Sequence, residues 1–257
     1  WLVWNLISLT LLGGAIWLLA RGGNGRDAWW TALILVTLLL ASNPLAQQVI
    51  EGQMNLLLLA LLTGAWAAER NRRPLIAGTC VGIAAAIKLF PALLIVHFVS
   101  RRQWGAALMC AGAFLGLNLV AAGVLGGDVF SIYVHDVMPN FAEYKANLAN
   151  ASLTGIWSKL LVGVPGLSAP VVAAPHAVPL AALAAGLTIA AVCAFKSSLA
   201  RDAASAELAF AACVIGMLLA SPITWGHAFV LLPLPLVVVW RNDSRTLIRG
   251  LVAACAV

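Results

Sequence analysis

Glu51-Gly-Gln-Met-Asn55, an apolar run to Ala68, Glu69-Arg-Asn-Arg-Arg73, and a second apolar run broken by Ala86-Ile-Lys-Leu-Phe-Pro91 form the stretch whose reading decides the fold. Two of its features are costly in a lipid bilayer. The polar cluster Glu51, Gln53 and Asn55 opens a leucine-rich helix, and Lys88 stands between apolar neighbours on both sides. A charge at membrane depth costs about 2.5–3.5 kcal/mol or more, so it pairs or faces a cavity and marks a candidate functional site. A lysine at a helix end can instead snorkel its ammonium to the interface. On the residue alone, both readings of Lys88 stand.

The rest of the chain supports the membrane setting. Of 257 residues, 63% are hydrophobic and 9% charged, against about 25% charged in a soluble domain. The mean hydropathy is +0.99. The apolar runs are continuous rather than alternating, which excludes a transmembrane β-barrel and predicts an all-α, polytopic membrane protein. The net charge of +6 does not indicate nucleic-acid binding, because most basic residues form short clusters between apolar runs, as membrane topology requires. Cys80, Cys110, Cys193, Cys213 and Cys255 all lie within apolar runs. Their spacing suits neither a metal site nor a loop disulfide, and they read as small packing residues.

Further spans are expected at Trp1–Ala20, Trp104–Leu125 and Val178–Phe195, and an apolar run at Trp29–Ala41 is broken by Asn43-Pro44. Gly126–Ala151 is the longest polar stretch, carrying Asp128, Asp136, Glu143 and Lys145. Ser152–Val162, with Trp157 and Lys159, suits a short interfacial helix. No repeat or second domain is evident, and 1–257 reads as one transmembrane domain. Both ends lie inside apolar runs, which suggests a fragment truncated at each end.

Counting charges decides the topology. If Pro74–Val99 and Ala206–Trp240 are broken hairpins turning at Lys88 and at Pro222–His227, then Arg21, Arg26, Arg70, Arg72, Arg73, Arg101, Arg102, Lys196, Arg201, Arg241, Arg245 and Arg249 share one side. Lys88, Lys145 and Lys159 fall on the other, a split of 12 to 3. Two continuous spans would give 10 to 4 with Lys88 buried. The positive-inside rule favours the hairpins. They bring Asn43–Asn55, Lys88–Pro91, Gly126–Ser152 and Ser221–His227 to the non-cytoplasmic face, where irregular backbone must be buried in protein or line a wet cavity. A pocket there could hold Glu51, Asp128 and Asp136, the amides of Gln53, Asn55 and Asn150, and Lys88 with His227. Lysine and a protonated histidine suit a phosphate, and amides suit sugar hydroxyls. Trp225 could stack on a sugar, or belong to an aromatic belt. Asn55 and Asn150 could equally cap helices.

Gly52-Gln-Met-Asn55, Ala77-Gly78, Ala85-Ala-Ile-Lys88-Leu-Phe-Pro91 and Arg101-Arg102-Gln-Trp104 together resemble glycosyltransferase family 87, the polyprenol-phosphate-mannose-dependent α-(1→2)-mannosyltransferases. Asn150-Ala-Ser-Leu153 and Ser221-Pro-Ile-Thr-Trp225-Gly-His227 resemble that family's Asn-x-Ser-Leu and Ser-Pro-x-Ser-Trp-x-His segments. Thr224 replaces the usual serine and keeps the hydroxyl, whereas Ala228 stands where a second polar residue is common.

The resemblance implies a GT-C-like helical bundle in the bacterial cell membrane. It implies a hexosyltransferase, inverting at the anomeric carbon, that moves mannose from a polyprenyl-phosphate donor to a glycan or glycolipid acceptor of the cell envelope. No cofactor or metal is implied. Lys88 and His227 are then phosphate ligands, and Gln53, Asn55, Asn150, Ser152 and Trp225 sugar or acceptor contacts. The family's catalytic acid is expected in a first external loop, before Trp1, so Glu51 is the substitute within 1–257. A polysaccharide polymerase or a transporter of lipid-linked substrates is the alternative.

Overall fold

The computed structural model describes residues 1–21 and 25–242. The expectations for Arg245, Arg249, Cys255 and the final apolar run lie outside the described residues, as do those for the side chains of Arg26 and Glu143. The described residues are mostly helical, joined by turns and loops, and contain no strand, so the chain is an all-α, polytopic membrane protein.

Helix α1 (Leu2–Ala20) and α2 (Gly25–Leu40) form an antiparallel pair, and α2 bends by 64° into the short α3 (Asn43–Ile50). The bend has a sequence cause. Ser42 caps α3, its hydroxyl accepting from the Leu45 amide, and Pro44 lacks the N–H that would continue α2. Helix α4 (Asn55–Arg70) is buried on nearly every side, with Leu56, Leu58, Leu59, Leu62 and Trp66 almost inaccessible. A helix apolar all round belongs at the centre of a bundle, and α4 takes that place.

Helix α5 (Pro74–Ile87) stops at Lys88, whose backbone is extended. A single 3₁₀ turn (Phe90–Leu94) and α6 (Ile95–Ser100) carry the chain back. At 1.5 Å per residue, the 14 residues of α5 reach about 21 Å, short of a hydrocarbon core of about 30 Å. The segment is therefore a re-entrant hairpin, and Pro74 and Arg101 line one cavity at its open end. The chain turns back in the same way after α12 (Ala203–Ala220), a helix long enough to cross a membrane, through the 3₁₀ turn Gly226–Leu231 and α13 (Pro233–Asn242). There Glu207 on α12 accepts from Asn242 on α13, at 3.3 Å. The hairpin reading of both breaks is the one observed.

Helix α7 (Trp104–Leu125) runs parallel to α5 in very close contact. Gly78 lies against the Ala106 carbonyl and Gly82 against the Cys110 carbonyl, with no room for a Cβ at either. Between apolar helices in lipid, close van der Waals approach supplies the attraction that water supplies elsewhere, and Gly-x-x-x-Gly is the spacing that permits it. Beyond α7, Gly126–Asn150 forms short turns, including α8 (Val129–Ile132) and α9 (Ala142–Lys145). The amphipathic α10 (Leu153–Leu161) buries Thr154 and Ser158 and exposes Trp157. Helix α11 (Val178–Leu199) returns against α12. Leu108, Leu119 and Val124 of α7 and Leu180 and Leu187 of α11 remain exposed, as faces turned to lipid should be.

The two ends of the bundle differ in charge. Arg70, Arg72, Arg101, Arg201 and Glu207 surround one cavity, with Arg241 close by and bonded to Ala20. The opposite end carries the polar breaks.

Candidate functional site at the helix breaks

The site begins with a turn. Helix α3 ends in a Schellman motif in which Gly52 N–H donates to Val49 and Gln53 N–H to Gln48. Gly52 adopts φ +63, the left-handed conformation that favours glycine at this position. Helix α1 secures the turn from the side: Asn5 Nδ2 donates to the Val49 carbonyl at 3.2 Å and Trp4 Nε1 to the Gly52 carbonyl at 2.9 Å. Gln48, itself buried, donates its Nε2 to the Gln53 carbonyl. Glu51, Gln53 and Asn55 are thereby held in one orientation.

The two helix breaks then close on this turn. Lys88 Nζ donates to Asn55 Oδ1 at 2.9 Å and to Gln53 Oε1 at 3.3 Å. Asn55 Nδ2 donates to the His227 carbonyl at 3.3 Å. His227 Nδ1 lies 2.9 Å from Glu51 Oε2. One asparagine thus joins the break at Lys88 to the break at His227. Two amide oxygens accept from the lysine ammonium, and its third N–H has no acceptor among the described residues. The carboxylate at Nδ1 holds the imidazole so that Nε2 faces away from Glu51.

A second cluster fixes the 221–227 segment. Asn150 Oδ1 accepts from the amides of Ser152 (3.1 Å) and Thr224 (3.0 Å), and its Nδ2 donates to the carbonyls of Lys145 and Pro222, each at 3.1 Å. Ser152 Oγ donates to the Pro222 carbonyl at 3.1 Å and accepts from Gly155 N–H at 3.0 Å, capping α10. Lys159 Nζ donates to the Leu148 and Asn150 carbonyls at 3.2 and 2.8 Å. Every polar atom of the Asn150 side chain is used, and Asn150 and Ser152 have no exposed surface.

The family model for "Glycosyltransferase family 87" matches residues 1–222. The chain belongs to glycosyltransferase family 87. It is 29% identical over 248 residues to a "Polyprenol-phosphate-mannose-dependent alpha-(1-2)-phosphatidylinositol pentamannoside mannosyltransferase" from Mycobacterium tuberculosis, covering 95% of this chain and 53% of that protein. Two "Polyprenol-phosphate-mannose-dependent alpha-(1-2)-phosphatidylinositol mannoside mannosyltransferase" relatives are 26% identical. The one from Mycobacterium tuberculosis covers 86% of this chain and 50% of the relative, and the one from Mycolicibacterium smegmatis 83% and 47%. The chain therefore spans about half the length of the curated relatives it matches. No solved structure matches it significantly.

Within this family-87 chain, the residues expected at the site separate into groups. Glu51, Gln53, Asn55, Lys88 and His227 form one hydrogen-bonded cluster. Trp225 is half-buried and meets Tyr144 edge-on, with ring centroids 6.1 Å apart. Asp128 and Asp136 lie exposed on the 126–150 segment, and no hydrogen bond or ion pair joins their carboxylates to the cluster. His227 and Trp225 lie just beyond the matched 1–222. The sequence reading missed Gln48, Trp4 and Asn5, which hold the turn. The visible signal was Gln47-Gln48, an amide pair inside an apolar run.

Proposed function

We propose that this chain forms the donor-phosphate side of a membrane mannosyltransferase that uses a polyprenyl-phosphate-linked mannose and a glycolipid acceptor. The observation that carries this reading is the junction of Lys88, Asn55 and His227 at one end of the bundle. The relatives' names specify polyprenol-phosphate-mannose as donor and phosphatidylinositol mannosides as acceptors, and family membership weighs against a polymerase or a transporter.

In this reading the acceptor hydroxyl attacks the anomeric carbon of the donor. The bond from that carbon to the phosphate oxygen breaks with inversion, and its electron pair leaves on the polyprenyl phosphate. The hydroxyl proton passes to a general base, which typically contributes 10²–10⁴-fold. The Lys88 ammonium, aimed by Gln53 and Asn55, meets the charge that develops on the leaving phosphate. His227 Nε2 donates to the same group as an imidazolium, and Glu51 orients and stabilises that imidazolium. Preorganised donors of this kind are worth about 10²–10³ in rate each. Trp225 lines the acceptor side. Asn150 and Ser152, having no exposed surface, serve the sugars only indirectly, by fixing the backbone that carries Trp225 and His227. The positive-inside rule assigns the arginine-rich end to the cytoplasm and this cluster to the non-cytoplasmic face.

The test is mannosyl transfer by the full-length protein, from polyprenyl-phosphate-mannose to a phosphatidylinositol mannoside. Lys88→Met and His227→Ala should each lose most turnover while the protein remains folded, as a cooperative thermal melt would show. Undiminished turnover in both variants would remove the phosphate-binding role.

A further inference from the structure

The cavity at the arginine-rich end lies far from the Lys88 cluster and takes no part in the proposed transfer. It occupies about 410 Å³ between the ends of α4 and α6 and the starts of α5, α7 and α12. Its lining includes Arg70, Arg72, Arg101 and Arg201, together with Glu69, Asp202 and Glu207.

Each carboxylate is already committed. Glu69 accepts from the buried His97 Nε2 at 3.0 Å and from Gln103 Nε2 at 3.2 Å, and lies 3.5 Å from Arg101 Nε. Glu207 pairs with Arg70 at 3.3 Å and accepts from Asn242. Asp202 caps α12, accepting from the Ser205 amide at 2.8 Å, and that bond holds its carboxyl below the usual carboxylate range. Arg72 and Arg201 form no ion pair among the described residues. On the same walls, Trp66 Nε1 and Arg101 Nη1 are buried without a hydrogen-bond partner. Unpartnered buried donors are uncommon and call for an explanation.

The backbone supplies an independent observation. Three helix ends use the same Schellman hydrogen-bond pattern: Gly52 with Gln53, Arg72 with Arg73, and Arg102 with Gln103. The central residue is left-handed in all three, at φ +63, +56 and +56. At the polar end it is glycine, as the conformation prefers, and at the arginine-rich end it is arginine twice. Strained φ values held against preference cluster at ligand sites. Of the two arginines, Arg72 lines the cavity. The apolar neighbours of two further lining residues, Leu75 after Pro74 and Trp104 after Gln103, are exposed beside it.

We propose that this cavity binds the phosphate of an anionic phospholipid headgroup, with Arg72 and Arg201 as the principal charges, Arg101 and Trp66 as further donors, and acyl chains lying along Leu75 and Trp104. Basic pockets between helices at the cytoplasmic surface suit such headgroups, and each nearby arginine strengthens anionic-lipid binding about fivefold.

The test is native mass spectrometry of the full-length protein in detergent with phosphatidylglycerol or phosphatidylcholine, and thermal melting with each. Wild type should retain phosphatidylglycerol over phosphatidylcholine. Arg72→Gly and Arg201→Gln should each weaken that retention about fivefold. Arg72→Gly also relieves a strained φ, so its melting temperature should hold or rise, which separates lost binding from lost folding. Arg102→Gly makes the same backbone change away from the cavity lining and should leave retention unchanged. Equal retention of the two lipids by wild type overturns the proposal, as does an equal loss in Arg102→Gly and Arg72→Gly. Displacement of phosphatidylglycerol by millimolar inorganic phosphate would assign the cavity to free phosphate and overturn the lipid assignment.

Discussion

Replacing Lys88 by methionine keeps an unbranched side chain and removes the ammonium. Two hydrogen bonds are lost, to Asn55 Oδ1 at 2.9 Å and to Gln53 Oε1 at 3.3 Å. Hydrogen bonds to charged groups contribute about 1.5–3 kcal/mol. The half-buried ammonium also carries a desolvation cost that methionine does not. These terms oppose each other, so stability should change by no more than about 2 kcal/mol in either direction. Turnover should fall about 10²–10³-fold, the usual result of removing one positioned donor from a developing charge. The loss should appear in kcat rather than KM, because the charge on the phosphate grows toward the transition state. The assay is steady-state mannosyl transfer by the full-length protein, with thermal melting in parallel. Adding Gln53→Ala to Lys88→Met should lower turnover little further, since the Gln53 side chain acts by aiming the lysine and residues that act as a unit are non-additive. A kcat within about threefold of wild type, in a protein that melts normally, would refute the reasoning and leave Lys88 as an interfacial anchor.

Glu51→Gln should reduce turnover less than His227→Ala, about 10-fold against about 10²-fold, since the carboxylate acts through the imidazole; equal losses would point to Glu51 as the base. Asn150→Ala leaves the buried Ser152 and Thr224 amides without an acceptor, at about 1–3 kcal/mol each, and should lower the melting temperature and yield of folded protein. Gly78→Ala drives a methyl into the Ala106 carbonyl and should destabilise by about 1–3 kcal/mol. Gly112→Ala, which meets nothing within 4 Å, should melt as wild type does. Cysteines introduced at Asp136 and at Arg72 should react with impermeant maleimide from opposite sides of the membrane; labelling from one side would contradict the hairpin topology.

Much of the fold was legible because membranes impose local rules. Asn43-Pro44 announced the bend between α2 and α3, and the clustering of arginines announced both broken hairpins. The pairing of Lys88 with the 51–55 turn followed from topology, once both breaks were placed at one end. Other features were hidden because they depend on distant contacts. Asn150 and Ser152 look the same in sequence whether they face a sugar or the Pro222 carbonyl. Asp128 and Asp136 were grouped with the pocket because topology puts their segment on the same face, whereas both lie exposed on the 126–150 segment, unjoined to the cluster. The link from Glu69 through His97 Nε2, and from His97 Nδ1 to Ser197 at 3.0 Å, joins α4, α6 and α11 across residues with no local signal. The Gly78-x-x-x-Gly82 spacing went unread, because a pair of glycines in an apolar run does not say which helix will pack against it.

The asparagines at the site illustrate what a broken helix requires. Each break exposes carbonyls and amides that a continuous helix would satisfy internally, and lipid offers them no water. Asn55 covers the His227 carbonyl, and Asn150 covers the Pro222 carbonyl and the Thr224 amide. An aspartate could not donate to those carbonyls, and a lysine could not accept from that amide. A neutral amide does both while adding no charge to the low-dielectric interior. The net charge of the cluster is therefore left to Glu51, Lys88 and His227. The asparagines make the breaks tenable, and the breaks bring an ammonium and an imidazole from distant parts of the chain to one polar turn.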